Sequence, residues 1–379
     1  MPVPVIETAA DLERLVERMR GATLIAVDTE AASFHRYQDR VYLLQLSTRD
    51  ETIVIDPLAV GTLAPLGPLL ADAEVEVVFH DADYDLRLLD REYGIRANNL
   101  FDTRIAAQLL NEPGIGLAAL LEKYLSVRLD KRFQRADWSA RPLSAEMLAY
   151  AAADTRYLPV LRDILRTRLK ELGRLAWAQE EFALLEDVRG VSPDGGEPGF
   201  LRIKGAKALR GRELAVLREI HQWREGVAKR ADRASFRVLG NEPMLAMAKL
   251  PPVDMAALKA IPGIGAEQAA RRGREILAAV KRAMELPERD LPRIERPPRK
   301  LTDPAYEARL ERLKGARNAL AARYDLAPGV LCPNGTLEAI ARANPATAEK
   351  LARITELRRW QLRELGKELL AAVPESGSQ

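Results

Sequence analysis

Cysteine is almost missing from this chain. A single thiol, Cys332, in 379 residues excludes an intramolecular disulfide and the stapled, secreted scaffolds that depend on one. Histidine numbers only three, so no Cys/His cluster exists to hold zinc. Long apolar runs are absent too, since stretches such as 24–27 and 77–79 fall far short of the ~20 residues that a membrane-spanning helix requires. The opening MPVPVIETAADLERL lacks the basic and then apolar stretches of a secretory leader. Together these absences predict a soluble chain in a reducing, cytoplasmic compartment.

What is present is a 47% hydrophobic composition, enough for real cores, at a length that suggests two or three domains. Net charge is only +3, yet the signs are unevenly spread. Residues 1–200 carry 23 Lys and Arg against 33 Asp and Glu, whereas residues 201–379 carry 35 against 22. An acidic front and a basic back suit a metal-dependent body joined to a part that holds a polyanion.

The front half alternates short β-rich runs with helical stretches, the pattern of an α/β layer fold. TLIAVDTE, VYLLQLST, ETIVID, VEVVFH and a weaker NNLFDT are the candidate strands. The second and third are too close for a parallel crossover, so they form a hairpin and the sheet is mixed. Helices are expected near 103–110, near 116–124, and from Ser144 through about residue 172, with Ser144 as N-cap. This first domain is assigned residues 1–190. The turn-rich VSPDGGEPG marks a linker at 191–203, followed by an all-helical block at 204–286. A Pro/Arg-rich connector at 287–301 precedes a second helical block at 302–374, and the two blocks share a layout that suggests diverged copies of one unit.

Asp28 and Glu30 stand two apart on a strand, so their carboxylates share a face about 7 Å apart and can reach one metal cluster. Acids at a strand end are also ordinary loop-entry residues. In VVFHDADYDLRLL a strand ends near His80 and a helix begins with Asp81, Asp83 and Asp85. Such acids suit a helix N-terminus, and one facing the sheet can be a third carboxylate. In YAAADTRYL, Tyr150 and Asp154 are four apart and share a helix face, with alanines at 151–153 keeping the helix slender where it meets the sheet.

In this order the D-x-E strand, the later Asp and the helical Y-x-x-x-D resemble the three motifs of the DEDD exonuclease superfamily, tyrosine subtype. More closely, the chain is similar to the ribonuclease D family through LLQL at 43–46, IDPL at 55–58, FHDADYDLRLL at 79–89 and ADWSARPLS at 136–144. A histidine subtype would need His where Ala149 stands. WREGVAKRADRASFRVLGNEPMLAMAK and LKAIPGIGAEQAARRG resemble a first HRDC domain, and the last block a more divergent second copy. Ala31 departs from the phenylalanine common after this acidic pair, and residues 234–240 depart from the usual proline-bearing version.

The resemblance implies an RNase H-like mixed sheet flanked by helices, followed by two all-α HRDC-like domains. It implies a 3′-to-5′ exoribonuclease that uses two divalent ions, Mg²⁺ or Mn²⁺, releases nucleoside 5′-monophosphates, and acts on RNA such as tRNA precursors. Its catalytic acids fall on Asp28, Glu30, Asp85 and Asp154, with Asp28 bridging the ions, Glu30 and Asp154 on the ion that activates water, and Asp85 reaching the second ion through water. Tyr150 orients the attacking water, being a poor base at its ordinary pKa near 10. Trp138 and Arg141 brace the last catalytic helix, and Asp81 and Asp83 are solvated helix-entry acids.

Other assignments keep two readings. Gln45 faces the nucleotide or is an edge-strand polar residue. Phe34, His35 and His80 line the path of the terminal nucleotide or are packed. IPGIG, with Gly263 and Gly265, and the nearby Arg271, Arg272 and Arg274 contact phosphate or form a plain helix connection with a solvated face. The rivals for the whole chain are a DNA 3′-to-5′ exonuclease and a non-catalytic nucleic-acid-binding scaffold. Because every proposed catalytic group precedes residue 195, a fragment ending there is expected to fold and cleave by itself.

Overall fold

The computed structural model describes residues 3–190, 196–294 and 303–373. Six strands, β1 (Val5–Ile6), β2 (Leu24–Glu30), β3 (Leu43–Ser47), β4 (Thr52–Ile55), β5 (Glu76–Phe79) and β6 (Leu100–Asp102), form one sheet in the order β1-β4-β3-β2-β5-β6. β3 pairs antiparallel with both β2 and β4, and the remaining pairings are parallel. The hairpin and the mixed sheet read from the sequence are therefore present. β1 is an addition: two residues give no periodicity to detect, yet their pairing moves the sheet edge outward from β4.

Helices α1 (Ala9–Met19), α2 (Asp83–Tyr93), α3 (Thr103–Leu109), α4 (Leu117–Leu125), α5 (Ala145–Arg156), α6 (Leu158–Glu171) and α7 (Leu175–Leu185), with two four-residue helices at Pro57–Val60 and Gly67–Leu70, complete the described part of this domain. The start of β2 is apolar on both faces, 24–27 being almost wholly buried, as a strand between two layers requires. The Ser144 hydroxyl accepts the Met147 N–H at 3.1 Å and starts α5. The single helix expected through residue 172 is in fact two. Pro159 lacks an N–H and its ring opposes the carbonyl four residues back, so the chain breaks at Tyr157 and α6 sets off anew. Ala151 and Ala152 are fully buried against Leu43 and Val54, which lets α5 lie close on the sheet.

The first helical unit comprises α8 (Gly211–Arg230), α9 (Ser235–Val238), α10 (Asn241–Lys249), α11 (Met255–Lys259) and α12 (Ala266–Glu285). The second comprises α13 (Pro304–Arg323), α14 (Pro328–Leu331), α15 (Asn334–Ala343), α16 (Ala348–Leu351) and α17 (Arg359–Ala371). All five helix starts recur at one offset of 93 positions: 211 to 304, 235 to 328, 241 to 334, 255 to 348 and 266 to 359. The interior bonds recur as well. Arg224 donates to Asn241 Oδ1 at 2.7 Å and to the Leu239 carbonyl, as Arg317 does to Asn334 Oδ1 at 2.7 Å and to the Cys332 carbonyl. Gln268 donates to the Val238 carbonyl at 2.7 Å and Gln361 to the Leu331 carbonyl at 2.9 Å. Two copies of one frame follow from these bonds.

Two boundary readings change. Within the expected 191–203 linker, residues 191–195 lie outside the described residues, but Phe200 and Ile203 are buried in the core of the first unit. Two anchors without periodic neighbours leave no helical signature. In the 287–301 connector, residues 295–301 lie outside the described residues. The part before them holds one 3₁₀ turn, Glu288–Asp290, and Leu291 and Ile294 pack on the same core. No helix among the described residues is long and apolar enough to cross a membrane.

The second unit shares a core with the nuclease. Trp177 of α7 stacks on Trp360 of α17 at 4.6 Å and meets Tyr324 edge-on at 5.5 Å. Glu180 accepts the backbone N–H groups of Arg359 and Trp360 at 2.5 and 3.0 Å, while Glu181 accepts the Trp360 indole N–H at 2.9 Å. Buried Arg174 donates to the carbonyls of Leu109 and Tyr324. A fragment ending at residue 195 would bare these groups, so the expectation that it is self-sufficient is withdrawn.

Candidate active site

β2 ends in the acidic pair, and strand alternation puts Asp28 and Glu30 on the face covered by α5. From α5, Asp154 completes a cluster in which carboxylate oxygens of Asp28, Glu30 and Asp154 all lie within 4.8 Å of one another. Thr29, between the two acids, turns the other way. Its backbone N–H donates to Asp85 Oδ1 at 3.1 Å, and its hydroxyl donates to the same oxygen. α2 thus carries Asp85 to the opposite flank of β2, buried but outside the tight trio.

Burial and mutual repulsion push the carboxyls up. For Asp28 burial dominates, followed by the charges of Asp85, Asp154 and Glu30, and Glu30 responds in the same way to burial and then to Asp154 and Asp85. Burial raises Asp154 to about 7, and it raises Asp85 to about 7 against the lowering effect of the Thr29 hydrogen bonds. Four acids with raised pKa values and no cation among them form a site that divalent ions would stabilise. Hard oxygen donors without sulfur or imidazole suit Mg²⁺ or Mn²⁺.

Tyr150 sits one turn before Asp154 and is half-buried, its ring 5.9 Å from Phe133 and 6.0 Å from Trp138. Its hydroxyl is pushed up by burial and then by Asp154, Glu30 and Asp28. Arg141 ties the approach to α5: it donates to both oxygens of Asp56 at 2.5 and 2.8 Å and to the carbonyls of Tyr42 and Trp138. Asp83 is exposed and paired with Arg87, and Asp81 with Arg104.

Neither reading of Gln45 holds. It is fully buried in β3, an inner strand, directly opposite Asp28 in the ladder, so it can neither touch a nucleotide nor sit at an edge. β3 lies between β2 and β4, so it would be an inner strand even without β1. Opposite residues share a sheet face, and neither side-chain amide atom of Gln45 has a protein partner. Such an amide beside a carboxylate cluster fits hydrated cations. His80 is held through Nδ1, 2.9 Å from Thr103 Oγ1, and burial lowers it to about 4, so it is neutral at pH 7. His35 lies 3.0 Å from the Arg135 carbonyl.

Gly263, Gly265, Arg271 and Arg272 belong to the first helical unit, outside the acidic cluster. Gly263 has φ +86°, and an added Cβ would meet Pro243 at 2.7 Å; Gly265 caps α12. Arg271 pairs with Glu267 and Arg272 with Glu275. One positioning residue escaped the sequence reading. Buried Asp102 accepts the N–H groups of Ala82 at 2.8 Å, Arg104 at 2.8 Å and Ile105 at 3.0 Å, fixing the turn that launches α2 and its Asp85. Its signal was an Asp directly before a helix start.

The family model for a 3′–5′ exonuclease matches residues 3–170, and that for an HRDC domain matches 213–280 and 307–373. Ribonuclease D of Gluconacetobacter diazotrophicus is 36% identical over 377 residues, covering 98% of this chain and 93% of the relative. The Escherichia coli RNase D structure, described as an exoribonuclease involved in structured RNA processing, aligns over 100% of both chains at TM-score 0.72 and 27% identity. The catalytic core of RRP6 from Trypanosoma brucei aligns at TM-score 0.64 and 32% identity, covering 75% of this chain and 80% of that one. Near-complete coverage of a curated relative, together with the order of exonuclease domain and two HRDC units, places this chain in the ribonuclease D family of 3′–5′ exoribonucleases.

Proposed function

We propose that the chain removes nucleotides one at a time from RNA 3′ ends, releasing nucleoside 5′-monophosphates, with two Mg²⁺ or Mn²⁺ ions and with tRNA precursors or similar structured RNAs as substrates. The observation that carries this reading is the half-buried trio Asp28, Glu30 and Asp154, with buried Asp85 fastened across the strand. When bound, the ions supply charge neutralisation at the scissile phosphate and lower the pKa of water. Asp28, reached from both flanks, would bridge them, with Glu30 and Asp154 on the water side and Asp85 on the other.

Tyr150 orients the attacking water and does not remove its proton. A phenol whose pKa is raised by burial and three neighbouring acids stays protonated, which supports a hydrogen-bonding role. The basic second half supplies phosphate contacts, with Gly263, Gly265, Arg271 and Arg272 as candidates in the first helical unit. A cytoplasmic location agrees with the RNA substrate. The test is a time course on matched 3′-labelled and 5′-labelled RNA and DNA with Mg²⁺, Mn²⁺ or EDTA. Metal-dependent shortening from the 3′ end, faster on RNA, is expected; internal cutting, or activity surviving EDTA, overturns the proposal.

A further inference from the structure

Four of the seven phenylalanines, Phe79, Phe101, Phe182 and Phe200, are buried. Phe34 and Phe236 are 45% and 52% exposed, and they touch each other across two domains. Their rings meet edge-to-face at 6.0 Å and 78°. Phe34 lies four residues beyond Glu30, so the chain holds it within about 14 Å of that carboxylate. Phe236 belongs to α9 of the first helical unit.

Both rings are fixed from beneath. The His35 carbonyl accepts the Ala234 N–H at 3.2 Å, and Asp232 accepts the Tyr37 N–H at 3.2 Å and pairs with Arg36 at 3.5 Å. The Arg135 guanidinium stands 5.3 Å from the centre of the Phe34 ring. Two residues before it, Phe133 packs on Tyr150, so one short segment runs from the exposed rings to the catalytic tyrosine. Arg233 and Arg237 flank Phe236, are exposed, and have no carboxylate partner among the described residues.

We propose that Phe34 and Phe236 form a shared stacking platform for a base of single-stranded RNA, a few nucleotides upstream of the bond being cut. Exposed aromatic faces beside unpaired guanidiniums suit nucleobases, because every base offers a π-face and the backbone supplies the charge. A contact serving only to join the domains would bury the rings. Because the platform straddles two domains, RNA that stacks there also secures the first helical unit over the nuclease. The inference rests on the exoribonuclease reading.

The test places 2-aminopurine at successive positions near the 3′ end of single-stranded RNA, bound to the full chain in EDTA so that no cleavage occurs. Quenching is expected to peak at one or two upstream positions. It is lost in Phe34→Leu and Phe236→Leu but kept in Phe34→Trp, which retains an aromatic face. With Mg²⁺ each Leu variant should raise KM roughly 5- to 100-fold with kcat held. Unchanged quenching and KM in both Leu variants overturn the platform, and so does a raised KM with quenching intact, which marks the rings as domain glue. Either result leaves metal-dependent 3′-to-5′ cleavage by the unaltered chain standing, so failure of the platform is separable from failure of the nuclease assignment.

Discussion

Asp28 is an unfavourable residue for the metal-free fold. Burial and three acidic neighbours raise its pKa above the unfolded value near 4, and Glu30, Asp85 and Asp154 behave alike. A carboxyl with a raised folded-state pKa stabilises the fold below its unfolded pKa, and that contribution is lost as pH rises through the folded value. In EDTA, stability is therefore expected to fall between about pH 4 and 7, and Mg²⁺ should restore it. Asp28→Asn should abolish hydrolysis, raise the EDTA Tm at pH 7.5 by about 2 °C or more, and shrink the Mg²⁺ increment. Calorimetry at pH 5 and 7.5, with and without metal, reads all three effects, and a lower EDTA Tm for the variant contradicts the argument. Tyr150→Phe keeps the ring that packs on Phe133 and Trp138, so KM should hold while kcat falls roughly 10²-fold. Unchanged kcat would make Tyr150 a packing residue. His80 has the opposite sign: its lowered folded pKa means that stability is lost as pH falls from 6.5 toward 4. His80→Gln should flatten that part of the stability profile. Strand and helix spacing put Asp28 with Glu30, and Tyr150 with Asp154, on shared faces, whereas Asp85 was singled out from Asp81 and Asp83 only by the family resemblance. Gln45 was misjudged because its place is set by Asp28 across the ladder, which no local pattern encodes, whereas Asp102 left a local sign, an Asp directly before a helix start, that was passed over.

Among the elements, the five principal strands and the helical units were readable from apolar period and turn residues, whereas β1, the break at Tyr157 and the anchors Phe200 and Ile203 were not. Each of these is short, and its place is decided by what it packs against. The 93-position repeat escaped closer reading because its constants, Arg224/Arg317, Asn241/Asn334 and Gln268/Gln361, are widely spaced polar residues in a changed apolar background. They permit a paired experiment. Arg317→Met leaves Asn334 and the Cys332 carbonyl without their buried donor, at a cost of about 1–3 kcal/mol, and Arg224→Met does the same to Asn241 and the Leu239 carbonyl. Because the second unit shares its core with the nuclease and the first has its own, Arg317→Met should shorten the half-life of nuclease activity on heating. Arg224→Met should leave that half-life nearly unchanged. Equal losses would mean that both units are coupled to the catalytic domain alike.

At the scale of the molecule, the charge split gives the basic half to two units with different attachments. The second is joined through Trp177, Trp360 and the Glu180 and Glu181 carboxylates. The first meets the nuclease at the Phe34 loop and keeps a separate core. Removal of residues 303–379 should therefore lower the melting temperature of the nuclease, although every catalytic group remains. A full-length scan should show the nuclease and second unit melting together and the first unit separately, as hydrogen exchange resolved by segment can check. An unaltered nuclease transition in the truncated chain would contradict the shared core.

The Trp177–Trp360 stack also bears on how the protein is made. Its two halves are separated by the whole first helical unit, so at about 5–20 residues per second Trp177 leaves the ribosome roughly 10–40 s before its partner. During that interval the catalytic acids are already synthesised, while an apolar face on α7 waits uncovered. A nascent-chain holdase that recognises aromatic surface would have its longest opportunity there, and α17, on emerging, would be the helix that dismisses it.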